Sequence, residues 1–379
     1  MMDKKLLIDI AQIPSPTFVL QEDLLIQNLE LLKYFQEQAS VSIICALKGF
    51  SFYAEFPLLK NYIKGATASS LFEAQLVYEE MGSKPHTYCP IYVPKDFDAI
   101  ASISSHLTFN SLSDWERYKH KIPTNIQCGL RVNPGYSEIT TDLYNPASPN
   151  SRLGIDSKLL SKKLPKGITG LHFHALCENN SYTLEKVLES FSNLYHDLIL
   201  QCEWLNFGGG HLITHKDYDV EHGIQVLKNF RKKYPHLKEI ILEPGSAIGW
   251  ETGYLVSTVL DIVENGDVKT AMLDVSFTCH MPDCLEMPYQ PKVIGSVEQS
   301  AFKYQLGGMS CLAGDVMGDW YFEKPLQIGQ KIIFNDMIHY TMVKTTTFNG
   351  INLPNIGIWR NNEYFNLKTF GYEDYKRKL

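Results

Sequence analysis

The sequence lacks any Cys-x-x-Cys pair among its eight cysteines, Cys45, Cys89, Cys128, Cys177, Cys202, Cys279, Cys284 and Cys311. In a long chain that spacing reads as free, mostly buried thiols in a reducing cytoplasm. Positive charge is also short: 35 Lys+Arg stand against 42 Asp+Glu, a net charge of −7. No basic face is implied, which argues against nucleic acid or an anionic membrane as partner. No apolar run approaches the roughly 18 uninterrupted residues of a membrane-spanning helix. Near the start, Lys4 and Lys5 precede a short apolar run broken by Asp9, too short for the core of a signal peptide. Internal repeats and low-complexity tracts are absent as well. What is present is ordinary for a soluble globular protein, 44% hydrophobic and 20% charged residues. Its 21 Tyr and 19 Phe suit a large core or a dimer interface. A single α/β barrel of about 250 residues would leave roughly 130 over, enough for a second small domain.

Short β-branched, apolar runs recur at Val41–Lys48, Gly65–Ser69, His86–Pro90, His106–Asn110, Ile126–Asn133, Ile168–Ala175, Trp204–Gly209 and Glu239–Gly245. Between them lie helical patterns, among them Leu24–Phe35, Leu71–Met81, Leu184–Leu200 and Ile224–Tyr234. Alternating strands and helices imply parallel pairing, because each crossover needs a helix. Eight such units predict a (β/α)8 barrel over residues 22–250, with an open doubly wound sheet as the rival. After Trp250 the strand-like runs crowd together, at Gly253–Val263, Lys269–Phe277, Lys292–Ser296, Lys331–Phe334 and Ile356–Arg360. Glu264-Asn-Gly and Phe348-Asn-Gly supply turn signals. The expectation is an antiparallel all-β domain over residues 251–379, joined by residues 1–21 through the Pro16–Leu20 run.

In such a barrel, function belongs at the C-terminal ends of the strands. There the sequence places Lys48, Arg131, His172-Phe-His174, the triplet Gly208-Gly209-Gly210, and Glu243-Pro-Gly. Each has an ordinary structural explanation: a solvated lysine, core histidines, a loop, a turn. His172 and His174 also have the spacing of a metal pair, but no third ligand stands at a recognisable distance, so no metal is expected. A lysine, an acid, a histidine and a glycine-rich anion loop on one rim suit a carbonyl cofactor that bears a phosphate. With pyridoxal 5′-phosphate, the lysine amine would form a Schiff base. The glycines would offer backbone N–H groups to the phosphate. A carboxylate would hold the pyridine nitrogen protonated by about 4 kcal/mol, for two charges about 4 Å apart at an effective dielectric of 20. The imidazole would stack on the ring.

These residues resemble the fold-type III pyridoxal-phosphate decarboxylases, the group of eukaryotic-type ornithine decarboxylase and diaminopimelate decarboxylase, from Pro16-Thr-Phe-Val-Leu to Phe348-Asn-Gly. The resemblance implies that Lys48 is the Schiff-base lysine, His174 the stacking histidine, Gly208 to Gly210 the phosphate loop and Glu243 the partner of the pyridine nitrogen. Arg131 falls where a family arginine approaches the cofactor, and Ser69 and Glu73 match a strand-end segment beside it. Cys311-Leu-Ala-Gly-Asp315 resembles a Cys-x-x-x-Asp loop that reaches the active site of the other subunit, which implies an obligate homodimer. There Cys311 would reprotonate the substrate carbon and Asp315 would bind a substrate amine. Tyr340 resembles a tyrosine that contacts the phosphate.

Departures from the family narrow the substrate. Members commonly read Glu-Pro-Gly-Arg, where this chain has Glu243-Pro-Gly-Ser-Ala247. Diaminopimelate decarboxylases hold a distal carboxylate with arginines, and the stretch Asp274–Asp283 contains none. Asp283 and Asp315 suit a distal ammonium, with His280 shaping that end. The expected substrate is a long polyamine with an α-amino-acid head; carboxynorspermidine and carboxyspermidine fit that description, and ornithine fits it in part. Three alternatives stay open: an ornithine- or diaminopimelate-type decarboxylase, an amino-acid racemase, and a non-catalytic cofactor-binding homologue. A racemase usually sets an arginine at the pyridine nitrogen, so Glu243 favours decarboxylation.

Overall fold

The structure, a computed structural model, describes residues 8–287 and 289–379. It divides into two compact units, one of residues 28–248 and one of the described residues up to 27 together with 249–379. Strand β1 (Thr17–Gln21) belongs to the second of these. The first unit is a closed barrel of eight parallel strands. They are β2 (Ser42–Ala46), β3 (Gly65–Ala68), β4 (His86–Tyr88), β5 (His106–Phe109), β6 (Gln127–Arg131), β7 (Gly170–His172), β8 (Trp204–Asn206) and β9 (Glu239–Leu242). Each falls inside one of the eight runs read from the sequence. They are short and almost wholly buried because helices cover the outer face while side chains fill the lumen.

The helices carry their own start signals. Ser70 caps Leu71–Leu76 by accepting the Glu73 N–H, Asn180 caps Ser181–Ile199, and Asp219 caps Val220–Lys233. Helix Ser181–Ile199 buries Leu184, Val187, Leu188 and Phe191 and loses helical geometry at Tyr195. The hydroxyl of that tyrosine donates to the carbonyls of Asn133 and Ile155.

Glycines at two strand positions make room for the barrel's filling. A Cβ on Gly170 would stand 2.1 Å from the Trp204 ring, and one on Gly129 would stand 2.5 Å from it. The indole lies edge-on to His106, which stacks on His86 with ring centroids 3.7 Å apart. Burial pushes His86 well below the usual imidazole pKa and His106 down to about 4. These rings are therefore neutral. A histidine whose folded pKa is depressed favours folding above the unfolded value near 6.5, and that contribution is lost as pH falls towards the folded pKa. His106→Phe should accordingly flatten the fall in urea midpoint between pH 7 and pH 4. The difference is on the order of 3 kcal/mol for His106 at most. An unchanged slope in unfolding curves taken across that range would contradict this account of the stack.

The second unit is a mixed sheet, with the order β12-β14-β13-β11-β10-β1-β16-β17 and β15 also on β10. Its strands are β10 (Gly253–Asn265), β11 (Val268–Leu273), β12 (Ser296–Val297), β13 (Phe302–Gly307), β14 (Val316–Phe322), β15 (Lys331–Asn335), β16 (Asn355–Arg360) and β17 (Glu363–Lys368). The Pro16–Leu20 run does join this sheet, since β1 lies between β10 and β16. The Glu264-Asn-Gly turn closes the β10–β11 hairpin, with Gly266 at φ 60°. The expectation of a purely antiparallel sheet is corrected: β1 runs parallel to β16, and β11 runs parallel to β13. Parallel neighbours need long connections, and here whole segments of chain intervene between the partners. Short helices, Phe277–His280, Pro282–Glu286 and Tyr340–Val343, also interrupt the strands. The Lys292–Ser296 run makes an isolated bridge from Val293 to Phe334, and only its last residue, Ser296, enters a strand, β12. Among the described residues no helix is long and apolar enough to cross a membrane, and no cluster of three or more side chains suits a metal ion.

Candidate active site

Parallel strands in a closed barrel put every C-terminal strand end on one rim. Lys48 stands just past β2, Ser69 past β3, Arg131 at the end of β6, His172 and His174 at β7, the glycine triplet past β8 and Glu243 past β9. Lys48 keeps open surface, yet protein walls surround its amine. That desolvation lowers its pKa, and Arg131 adds to the effect, while Glu243, Cys177 and Glu73 oppose it. Glu73 accepts the Ser69 N–H at 2.6 Å, which fixes the turn after β3.

Glu243 is 7% exposed, and burial raises its carboxyl above the ordinary range. Asn206, Lys48, Thr67 and Arg131 pull it back. Its Oε1 accepts from Asn206 Nδ2 at 2.7 Å, and its Oε2 lies 3.9 Å from His172 Nε2. Burial, with the cations Arg131 and Lys48, keeps His172 neutral, and neither of its ring nitrogens has a hydrogen-bond partner. Arg131 is 5% exposed, and its guanidinium lies over the Tyr88 ring, 4.7 Å from the centroid.

Gly208 and Gly210 sit at φ 66° and 86°, a region that side chains disfavour. A Cβ on any of the three glycines would come within 2.5 Å of a backbone carbonyl oxygen. The loop differs from the expected anion nest in one respect. Gly208 N–H donates to Asn206 Oδ1 at 2.8 Å, and Gly209 N–H donates to His174 Nδ1 at 2.9 Å. Two of the three N–H groups are thus used within the chain. The second bond also sets the His174 tautomer, leaving the proton of the neutral ring on Nε2.

The predicted residues of the second unit fall into two groups. Asp315 accepts three hydrogen bonds within its own unit: Oδ2 accepts from Ser276 Oγ and Ser310 N–H, and Oδ1 accepts from Thr278 N–H. This carboxylate ties its own loop to the Ser276–Thr278 segment. His280 is fully buried, its Nδ1 accepting from Ser276 N–H and its Nε2 donating to Asn352 O. Its pKa is pushed down to about 4 by burial, so it is a neutral scaffold residue and does not present an open nitrogen to a ligand. Asp283 differs from both. Its Oδ2 accepts from Tyr289 and Thr341 hydroxyls, but its Oδ1 is buried without a partner. Cys311 is exposed, and its N–H donates to Asn349 Oδ1 at 2.8 Å. The Phe348-Asn-Gly turn therefore carries the thiol loop. Tyr340 opens the helix Tyr340–Val343, edge-on to His339. Sequence reasoning missed Asn206 and Tyr88, and it marked Thr67 only as part of the strand-end segment and Asn349 only as a turn residue. Asn206 did carry one signal, its place two residues before the glycine triplet.

The family profile described as pyridoxal-dependent decarboxylase, C-terminal sheet domain, matches residues 17–338. The chain belongs to this family, and it is an enzyme, a pyridoxal-phosphate-dependent decarboxylase. It is 51% identical to carboxyaminopropylagmatine decarboxylase of Synechocystis sp., over 98% of this chain and 96% of that one. It is 44% identical to carboxynorspermidine/carboxyspermidine decarboxylase of Campylobacter jejuni, over 96% and 98%. Among solved structures, Campylobacter jejuni carboxynorspermidine decarboxylase complexed with norspermidine superposes with a TM-score of 0.89 at 42% identity, covering 97% of this chain and 100% of that one.

The rim fits pyridoxal phosphate on its own chemistry. It offers an amine with a lowered pKa, an ionisable acid below the surface and a guanidinium that forms no salt bridge with a described carboxylate. It also offers a glycine cradle that any Cβ would fill, and buried His172 nitrogens without partners.

Proposed function

We propose that the enzyme removes the α-carboxylate of carboxynorspermidine or carboxyspermidine, giving norspermidine or spermidine. The observation that carries this reading is Asp283, 9% exposed, with one carboxylate oxygen held by two hydroxyls and the other unpartnered. A buried acceptor of that kind is made for a donor, and a distal ammonium supplies one with a charge. A second reading, a guanidinium-bearing substrate, is favoured by the 51% identity to the agmatine-type relative. Fork-shaped pairing uses both carboxylate oxygens, and here one is already occupied, so the ammonium suits Asp283 better.

Bound pyridoxal phosphate supplies an electron sink for the pair left behind when CO2 departs. Lys48, Ser69, Arg131, His174, Gly208, Gly209, Gly210, Glu243 and Tyr340 are the residues that would hold it. Lys48 brings a nitrogen that is neutral more often than an ordinary lysine. Glu243 brings the negative charge for the pyridine nitrogen. His174 brings a neutral ring whose Nε2 only donates. The Cys311 Sγ delivers the proton to the substrate carbon, acting in the site of a second copy, so that the working form is a homodimer. Asp315 and His280 hold the loops that carry this thiol and Asp283. Eight free thiols without a disulfide suit a reducing cytoplasm.

CO2 release across carboxynorspermidine, carboxyspermidine, carboxyaminopropylagmatine, ornithine and diaminopimelate tests the reading. The first two should give the highest kcat/KM. Asp283→Asn should raise KM for them about tenfold to a hundredfold, the range for one lost charged hydrogen bond. Preference for diaminopimelate, or an unchanged KM in that variant, overturns it.

A further inference from the structure

We propose that Asn206 is a positioning residue that keeps Glu243 ionised and aimed by giving its Oε1 an amide donor, while its own amide oxygen anchors the glycine loop. The geometry is a closed circuit. Gly208 N–H donates to Asn206 Oδ1 at 2.8 Å, Asn206 Nδ2 donates to Glu243 Oε1 at 2.7 Å, and Glu243 N–H donates to Gly208 O at 2.7 Å. Asn206 is 2% exposed and Glu243 is 7% exposed, so water does not substitute for either side-chain bond.

The circuit assigns the amide without ambiguity. Gly208 N–H needs an acceptor, so the oxygen faces the loop and the NH2 group must face the acid. Only a side chain that is donor and acceptor at fixed ends serves both neighbours while carrying no charge. Burial alone would drive Glu243 towards its protonated form, and the Asn206 bond is the strongest influence against that. The other groups that act on Glu243 are Lys48 from the end of β2, Thr67 from β3, Arg131 from β6 and His172 from β7. The catalytic consequence rests on the role proposed above for Glu243; the test does not.

The discriminating variant is Asn206→Asp. It keeps the acceptor for Gly208 and exchanges the donor for a second carboxyl against Glu243. Two carboxyls at that distance share one proton, so the pair titrates upward. The folded protein then holds a proton that the unfolded chain has released above pH about 4. Stability falls as pH rises through that window. In full-length, cofactor-free protein at fixed concentration, the variant should match wild type near pH 5. By pH 8 its folding equilibrium constant should drop about tenfold or more relative to wild type, one pKa unit being tenfold. An equal loss at every pH would make Asn206 a loop anchor only and overturn the proposal.

Should N206D fail to fold, the reversed pair N206D/E243Q decides. The amide introduced at position 243 then donates to the carboxylate introduced at position 206, so the double variant should fold and lose the pH-dependent difference. No recovery in the double variant would overturn the proposal equally. Both measurements are made without cofactor or turnover, so their failure is separable from failure of the decarboxylase reading, which CO2 release tests.

Discussion

Lys48→Ala is expected to cut CO2 release by about a thousandfold or more, as loss of an activated nucleophile does. It should also abolish the near-visible absorption that pyridoxal phosphate shows when joined to a lysine. The cause lies in the surroundings of the amine. Protein walls around it and Arg131 beside it lower its pKa, so neutral Nζ is more abundant at pH 7 than in a solvated lysine. The same environment makes the charged form costly to fold around. A lysine whose folded pKa is depressed gives up stability at neutral pH and regains it only as pH rises towards the ordinary lysine value. Cofactor-free Lys48→Ala should therefore be at least as stable as wild type at pH 7, with the advantage shrinking towards pH 10. Loss of activity together with a large loss of stability would point to a structural role instead. A variant that keeps full turnover would sink the assignment of Lys48 altogether.

The barrel was legible because its strands obey one simple condition. Both faces are covered, so Ile43-Ile-Cys-Ala46 and Ile240-Ile-Leu242 read as unbroken apolar runs. Ser70, Asn180 and Asp219 then mark helix starts with side chains that satisfy orphan N–H groups. The second unit offered weaker signals. Strands β13 and β14 carry Lys303, Gln305 and Asp319 on faces turned to solvent, and nearly all of β17 is exposed. Burial pattern could not reveal them, although β13 and β14, like β16 and β17, pair with near neighbours in sequence; the β11–β13 pairing joins more distant segments.

The site shows the same division. Its strand-end residues stood out because a rim collects them whatever the loops do. Asp283 and Asp315, in contrast, looked alike in sequence and are unlike in structure. Ser276 and Thr278, nearly forty residues away, give each oxygen of Asp315 a donor, whereas Tyr289 and Thr341 leave Asp283 one open oxygen. Tyr289 and Ser310 are near in sequence, but Thr341, Ser276 and Thr278 arrive only with the tertiary fold, so no local pattern tells the two carboxylates apart. Asn206 was missed for a related reason: its meaning lies in two bonds to separate strand ends, and a lone asparagine before glycines announces neither.

Glu243→Gln should lower kcat by about a hundredfold to a thousandfold, the range for removing one preorganised electrostatic contact to developing charge. The substitution keeps the side chain's shape and the acceptor for Asn206 Nδ2, so it isolates the charge. Its stability effect runs the other way. An acid whose folded pKa is raised contributes its full stability below the unfolded value and loses it as pH rises through the folded one. At neutral pH wild type has lost that contribution to the burial of Glu243, whereas glutamine has nothing to titrate. Cofactor-free Glu243→Gln should consequently unfold at higher urea than wild type at pH 7, and the two should converge near pH 4. An active site that weakens the fold at neutral pH in order to hold a buried charge is a trade between stability and function. A variant that is both slower and less stable at neutral pH would show that Glu243 supports the barrel rim and not the chemistry.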